Sequence, residues 1–348
     1  MKFLPDQVVA RLQTEMQTPD LSGTRYRALK FLGHGGMGAV WLAEDSGLRR
    51  NVALKVLSAE SSSSDLAARL MQEAMVLARL EHPGIVPVHD AGTLPDGRTF
   101  YCMKYVEGQT LDQHIDRLSL RQRLQLIQRI AEPLAFAHSR GIIHRDLKPQ
   151  NIMVGAFGEV LIMDWGLAKV MAATSLFSSA GQVPGREFTC TASVSLESGA
   201  LAHEDALAPA TAHGSVLGTP GYMAPEQERG DVDLIDQRTD VFGLGAILQH
   251  VVQDTARGKA SASIGGPLSR PLRAICAKAT AAGMSDRYSS VQDLAADLRK
   301  YLEDMPVSAY PENVMERAVR LASRNRVAVV LVLAYLLMRV LFILFSRH

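Results

Sequence analysis

The chain has 348 residues, enough for one large domain or two smaller ones with a substantial core. Its 37 Lys and Arg against 36 Asp and Glu give a formal net charge of +1, so no global field draws it onto nucleic acid. Cys102, Cys190 and Cys276 lie far apart and form no CxxC, which fits a reduced compartment and offers no metal site; the opening MKFLPDQVV lacks the apolar run of a signal peptide.

Residues 26–57 alternate apolar and polar positions around glycine clusters, which predicts strands. From 64 to 80, Leu66, Leu70, Met75, Leu77 and Leu80 recur near helical spacing, and HPG at 82–84 ends that helix. GIVPVHDAG and RTFYCMKYV read as two further strands. After Gly108 the texture becomes helical, notably at 120–138 and at 290–302, where Val291, Leu294, Leu298 and Tyr301 mark one face. Strands first and helices later point to an α+β fold with two subdomains. Residues 171–215, rich in Ser, Thr, Ala and Gly with little apolar periodicity, are expected to form a long mobile loop.

The tail departs from this pattern. From 327 to 345 all 19 residues are apolar or aromatic except Arg339. As a helix they would span about 28 Å, close to the hydrocarbon thickness of a bilayer, the alternative being a buried core helix. Arg317, Arg320, Arg324 and Arg326 precede the run and only Arg347 and His348 follow it, an asymmetry that places the preceding chain in the cytoplasm.

The chemistry lies between these regions. GHGGMGAV at 33–40 matches G-x-G-x-x-G-x-V and runs into strand-like AVWLAED rather than into a helix. Glycines there let backbone amides approach phosphate oxygens. VALK ends at Lys55, placed to reach the phosphates from beneath, and Glu73 supplies a carboxylate to orient it. In HRDLKPQN, Asp146 suits a hydrogen bond from a nucleophilic hydroxyl, Lys148 neutralises charge on a transferred phosphoryl group, and Asn151 offers an amide oxygen to Mg²⁺. MDWG then adds Asp164, a carboxylate suited to a hard cation. Taken singly, Lys55 is an ordinary surface lysine, Glu73 one more helix glutamate and the octapeptide a solvated charged loop. Their order along one chain is what carries the reading.

That order resembles the eukaryotic-type serine/threonine protein kinases found in bacteria, over roughly residues 26–304, with APE at 224–226 completing the pattern. The resemblance implies a bilobal kinase-like fold: an extension at 1–25, a strand-rich N-lobe at 26–107, a helical C-lobe at 108–304, and an activation segment at 164–226. A juxtamembrane linker at 305–326 and a transmembrane helix at 327–345 would follow, making a single-pass inner-membrane protein with a cytoplasmic kinase domain.

It also implies ATP as phosphoryl donor and Mg²⁺ as metal, with Mn²⁺ the alternative. Protein Ser/Thr hydroxyls would be the acceptors, and a homodimer would serve trans-autophosphorylation. Asp146 would be the catalytic base, assisted by Lys148 and Lys55, with Asn151 and Asp164 as metal ligands. Nucleotide contacts would come from Gly33, His34, Gly35, Gly36, Met37, Gly38, Ala39, Val40, Ala53, Lys55, Glu73, Met103, Lys104, Val106 and Met153. Met103 resembles a gatekeeper before a hinge at 104–106, and Leu77, Val88, His144 and Trp165 fall where the family stacks a hydrophobic spine. Asp240 would anchor the catalytic loop, Arg287 would pair with Glu226, and Arg145 would receive a phosphorylated residue, Thr211 or Ser215, of the activation segment.

Three departures stand out. Trp165 replaces the usual phenylalanine. The segment from Asp164 to Glu226 covers 63 residues, with twelve Ser and Thr between 171 and 219. The chain also passes quickly from LGAILQHVV to LSRPLRAICAKAT, a shortening that bears on protein-substrate docking. An ATP-binding pseudokinase scaffold is the alternative reading, and a small-molecule phosphotransferase a third. Filled catalytic positions oppose the scaffold, and the GTPGYMAPE segment opposes the third.

Overall fold

The computed structural model describes residues 18–35, 38–58, 64–165, 169–170, 221–256, 268–313 and 315–317, with 330–331, 334–335 and 337–339. Gly36 and Met37, the loop expected at 171–215, Thr211, Ser215 and most of 327–345 lie outside them. Among the described residues no helix is long and apolar enough to cross a membrane.

The first half is a five-stranded antiparallel sheet in the order β1 (Tyr26–Gly35), β2 (Gly38–Asp45), β3 (Arg50–Leu57), β5 (Thr99–Lys104), β4 (Val88–Thr93). β3 and β5 are buried on both faces, and the period-2 alternation divides their side chains between two cores. Val52, Leu54, Val56, Phe100 and Cys102 join Trp41 and Tyr26 on the outer face. Ala53, Leu57, Tyr101 and Met103 face the main core, and Lys55 shares their parity. Gly38 opposes Leu57 where β2 meets β3; a Cβ there would collide with the Val56 carbonyl oxygen.

Helix α1 (Ser64–Arg79) lays Leu70, Ala74 and Leu77 onto that inner face, with Glu73 within the same stripe. Met75, assigned to this face from sequence, is 56% exposed; Val76 is buried instead, because the stripe turns with the 3.6-residue period.

The second half opens with β6 (Gly108–Thr110), which joins β8 (Ile152–Gly155) and β9 (Val160–Ile162) in a three-stranded sheet in the order β6-β8-β9. Between them run the short α2 (Leu111–His114) and α3 (Leu120–Ser139). Ser119 and Gln122 cap α3 reciprocally, Ser119 N–H donating to the Gln122 side chain at 2.9 Å. β7 (Ile142–Ile143) pairs with β10 (Lys169–Val170). Helices α4 (Pro225–Glu228), α5 (Gln237–Ala256), α6 (Arg270–Ala279) and α7 (Val291–Leu302) complete the lobe. α5 runs to Ala256, a few residues beyond the LGAILQHVV run.

On α7, Val291, Leu294 and Leu298 are fully buried, and Tyr301 packs at the margin. One apolar cluster runs from Ala53 and Leu77 through Trp165 to Leu298, so the lobes share a core around the cleft. The stretch read as a linker from 305 begins as part of this lobe: Val307 is 5% exposed within the same cluster.

Gly245 lies where α5 crosses the end of α6, and a Cβ would stand 2.6 Å from Ala279 Cβ and 3.0 Å from Thr280 Cγ2. Alanine gains about 1 kcal/mol in helix propensity over glycine, whereas overpacking costs about 1–3 kcal/mol. Gly245→Ala is therefore expected to lower the urea midpoint at unchanged m-value; a raised midpoint would show that the crossing relaxes freely.

Candidate active site

Lys55, in the middle of β3, has no room to point at water. Its Nζ donates to Glu73 Oε1 at 2.8 Å and Oε2 at 2.9 Å, and to Asp164 Oδ1 at 2.8 Å. Tyr101, beside Lys55 in the β3–β5 register, donates its hydroxyl to Glu73 Oε1 at 2.8 Å. Lys55 and Glu73 are buried, and Asp164 keeps 33% of its side-chain surface toward the cleft.

Burial works against the Lys55 ammonium, but the carboxylates of Glu73 and Asp164 outweigh it and raise its pKa. Asp164 is held below the usual carboxylate range: burial opposes its charge, and Lys55 more than compensates. One cation thus ties α1, the sheet and the loop after β9 together.

The loop after β7 brings up the rest. Lys148 Nζ lies 2.8 Å from Asp146 Oδ2. The Asn151 amide donates to the Asp146 carbonyl at 2.9 Å and to its Oδ2 at 3.3 Å. With its NH₂ so engaged, Asn151 has its amide oxygen left for a cation. That oxygen and the Asp164 carboxylate, with phosphate oxygens and waters, form the hard-oxygen set Mg²⁺ takes, so these residues fit the metal.

Arg145 at φ 72° and Asp164 at φ 57° occupy the left-handed region, a strained conformation for an arginine. The surroundings over-determine it. Asp240 on α5 accepts the His144 N–H at Oδ2 and the Arg145 N–H at Oδ1, both at 2.9 Å. Gln227 Nε2 donates to the Arg145 carbonyl at 2.7 Å, and His138 Nε2 lies 2.7 Å from Asp240 Oδ2. Burial alone would raise the Asp240 pKa, but His138, with His144 and the Arg145 N–H, holds it low.

His144 reaches the Met163 carbonyl at 3.0 Å and packs edge-on to Trp165, ring centroids 4.6 Å apart. Trp165 is 1% exposed, so the larger ring is accommodated in the core; its indole N–H has no partner among the described residues. Leu77 is buried beside it in the same cluster, and Val88 packs against that cluster half-buried.

The remaining nucleotide candidates divide between the faces: Ala53, Met103 and Val40 pack on the main core, whereas Ala39 packs in the outer cluster and the His34 ring lies against Phe31 beside it. Gly33, His34 and Gly35 pair with Val40, Ala39 and Gly38 across β1–β2. Ala53, Met103 and Val106 are buried, Val40 and Met153 half-buried, and Lys104 exposed. The Lys104 N–H donates to the Pro87 carbonyl at 3.0 Å.

Beneath the loop, Arg287 meets Glu226 through two 2.8 Å bonds with neither side chain exposed, and Thr239 adds a third donor at 2.9 Å. Sequence reading placed this pair but missed Tyr101, His138, Thr239 and Gln227. Gln227 directly follows APE, and Tyr101 shares the strand parity of Lys55; the other two carry no local signal.

A two-lobed fold whose cleft holds a lysine–glutamate pair, an adjoining aspartate and an asparagine–aspartate loop defines a phosphotransferase of the protein kinase class. Comparison with known proteins agrees. The family described as protein kinase domain matches residues 26–190, so that part of the chain is a protein kinase domain.

The serine/threonine-protein kinase PknD of Chlamydia trachomatis is 33% identical over 314 residues, covering 81% of this chain and 32% of PknD. PknD of Protochlamydia amoebophila is 31% identical over 313 residues, covering 80% and 30%. The chain thus spans less than a third of the length of these curated relatives. The PknI kinase domain of Mycobacterium tuberculosis superimposes with a TM-score of 0.53 at 25% identity, covering 81% of this chain and 98% of that one.

Removing Arg287 would strand a buried carboxylate. Arg287→Ala is expected to cost about 3–5 kcal/mol near neutral pH. Burial raises the pKa of Glu226, but Arg287 dominates and lowers it. In the parent this pair's contribution is present above the ordinary glutamate pKa and fades as pH falls through the depressed folded value. The gap between parent and variant should therefore narrow in acid. Urea titrations at pH 7 and 4 check this; a gap that widens at pH 4 contradicts the assignment.

Proposed function

We propose that this domain is an ATP-dependent serine/threonine protein kinase that transfers the γ-phosphate of Mg-ATP to protein hydroxyls. The observation that carries the reading is Lys55, held at 2.8 Å by both Glu73 and Asp164. This arrangement fixes a cation where donor phosphates must lie and sets the Asp164 carboxylate beside it. The metal, when bound by Asn151 and Asp164, neutralises phosphate charge.

Asp146, steadied by Lys148 and Asn151, accepts the proton of the substrate hydroxyl. That oxygen bonds to the γ-phosphorus as the bond to the β–γ bridging oxygen breaks, leaving ADP. The chain supplies every charged group this step needs, with the base, the phosphate-binding cation and the metal ligands gathered at one cleft.

Arg145 supports regulation by phosphorylation. Its guanidinium is buried, its Nε has no partner, and no carboxylate lies within ion-pair distance among the described residues. Burial lowers its pKa, with only Asp240 acting against this. A phosphate at Thr211 or Ser215, placed by a second copy of the chain in a homodimer, would supply the missing anion.

The assay is labelled ATP with the full-length chain. Asp146→Asn, Asp164→Asn and Lys55→Met are each expected to abolish phosphoryl transfer while leaving the melting transition cooperative. Mass spectrometry of the active parent should find phosphate within 171–219. Near-parental turnover in any of the three variants sinks the site assignment, and an active parent with no phosphate in that window sinks the regulatory part.

We also propose that 327–345 is a membrane span that anchors a cytoplasmic kinase domain. Val, Leu, Ile and Phe make up 14 of these 19 residues. At about −0.3 to −0.6 kcal/mol each near the helix centre, they outweigh the roughly +3 kcal/mol of Arg339, which lies off-centre and can snorkel. The full-length protein is expected to stay with membranes through alkaline carbonate washing; its release into the supernatant would refute the span.

A further inference from the structure

Asp297 lies on the inner face of α7, 1% exposed, and no step of the proposed chemistry uses it. A buried carboxylate survives only if its oxygens are filled, and most of the donors come from beyond the last helix. Oδ1 accepts the Ser308 N–H at 2.9 Å and faces Lys300 Nζ at 3.4 Å. Oδ2 accepts the Ser308 hydroxyl at 2.7 Å, the Ala309 N–H at 3.0 Å and the Tyr288 hydroxyl at 3.0 Å.

Val307 is buried in the main core just before these donors. Farther on, the Tyr310 hydroxyl donates to Glu316 at 3.0 Å, and Glu316 meets Arg270 at the start of α6 at 3.2 Å. The described residues of 305–317 therefore close over α6 and α7 as a clasp fastened at three points: a buried valine, a filled carboxylate and a tyrosine–glutamate–arginine chain.

The fifth donor to Asp297 gives the clasp its reach. Tyr288 is 3% exposed and immediately follows Arg287, whose guanidinium is the partner of Glu226. Glu226 sits at the start of α4, where the activation segment ends. A displaced Tyr288 hydroxyl would carry the neighbouring Arg287 with it, because the two side chains leave adjacent backbone positions.

We infer that Asp297 is a positioning residue for the protein-substrate side of the cleft: through Tyr288 it fixes the Arg287–Glu226 pair, and the 305–317 clasp fixes Asp297. The inference rests on the kinase reading. It separates two halves of that reading, since Lys55, Glu73 and the glycine loop belong to the other lobe and, among the described residues, have no bond to this chain of contacts.

The test uses the full-length chain with dephosphorylated casein as acceptor. Asp297→Ala and Ser308→Pro, the latter removing both Ser308 donors, are expected to lower kcat/KM for casein at least ~10-fold while KM for ATP stays within about twofold. Asp297→Asn, which keeps acceptor oxygen on one side only, should recover part of the loss. Equal losses on the casein and ATP sides, or no loss in Asp297→Ala, overturn the inference. Trypsin provides a reading independent of turnover: cleavage after Arg317, inside the clasp, should be much slower in the parent than in Glu316→Ala, which releases the clasp from Arg270 and Tyr310 without touching the core. Equal rates would show that no clasp exists. If the parent itself phosphorylates nothing, the kinase reading fails, while the tryptic pattern still decides the clasp.

Discussion

Everything in the cleft depends on keeping one ammonium group charged while nearly removing it from water. Lys55 is 3% exposed, and an unpaired cation at that depth would lose its proton or unfold its surroundings. Glu73 and Asp164 prevent both by closing on it from two elements far apart in sequence. The interaction therefore has a structural consequence beyond charge. α1 must sit close to the sheet, and the loop after β9 must turn its aspartate inward, for Lys55 to be satisfied at all. Either partner moving away leaves a buried charge with too few neighbours, so the arrangement is held as a unit rather than contact by contact.

The lower half of the site solves a different problem, that of backbone strain. Arg145 and Asp164 both adopt positive φ, at 72° and 57°, flanking the positions where chemistry is done. Such residues persist only where their neighbours leave no alternative. Asp240 supplies two acceptors to consecutive amides and Gln227 a donor to the following carbonyl, so the turn at Arg145 is pinned from beneath and from the side. Asp240 can remain ionised in full burial because His138, with His144 and the Arg145 N–H, surrounds it. Gln227 joins this turn to α4, so the catalytic loop and the end of the activation segment share one network with the Glu226–Arg287 pair next door. The order of the motifs in sequence becomes an order of supports in space.

Much of this was legible before any coordinate. Strand alternation over 26–57, the helical stripes on α1 and α7, and the motif order followed from side-chain period and from the scarcity of ways to bind phosphate and a hard cation together. These are local properties: a strand shows its parity within a few residues, and Gly38 declares a close approach by lacking a Cβ. The pairing of Glu226 with Arg287 was reached by resemblance rather than by spacing, since 61 residues separate them.

The features that no local pattern announced share one physical cause, namely that burial and hydrogen-bond satisfaction are properties of neighbours. Nothing near Asp297 in the sequence distinguishes it from a solvated helix aspartate; it is a buried acceptor because Ser308 and Ala309 fold back over it. For the same reason the end of the packed lobe could not be read from the composition of 305–317. Met75 lost its expected place to Val76 because the helix's rotation against the sheet chose the buried face. The Lys104 N–H donates to Pro87, a partner set by how the chain enters β4. Which chemistry this chain carries was already written in its residues, because reactive groups are scarce and their spacing is strict. Which groups hold that chemistry in place was left to the fold, because any polar side chain can serve once the chain brings it within hydrogen-bond distance.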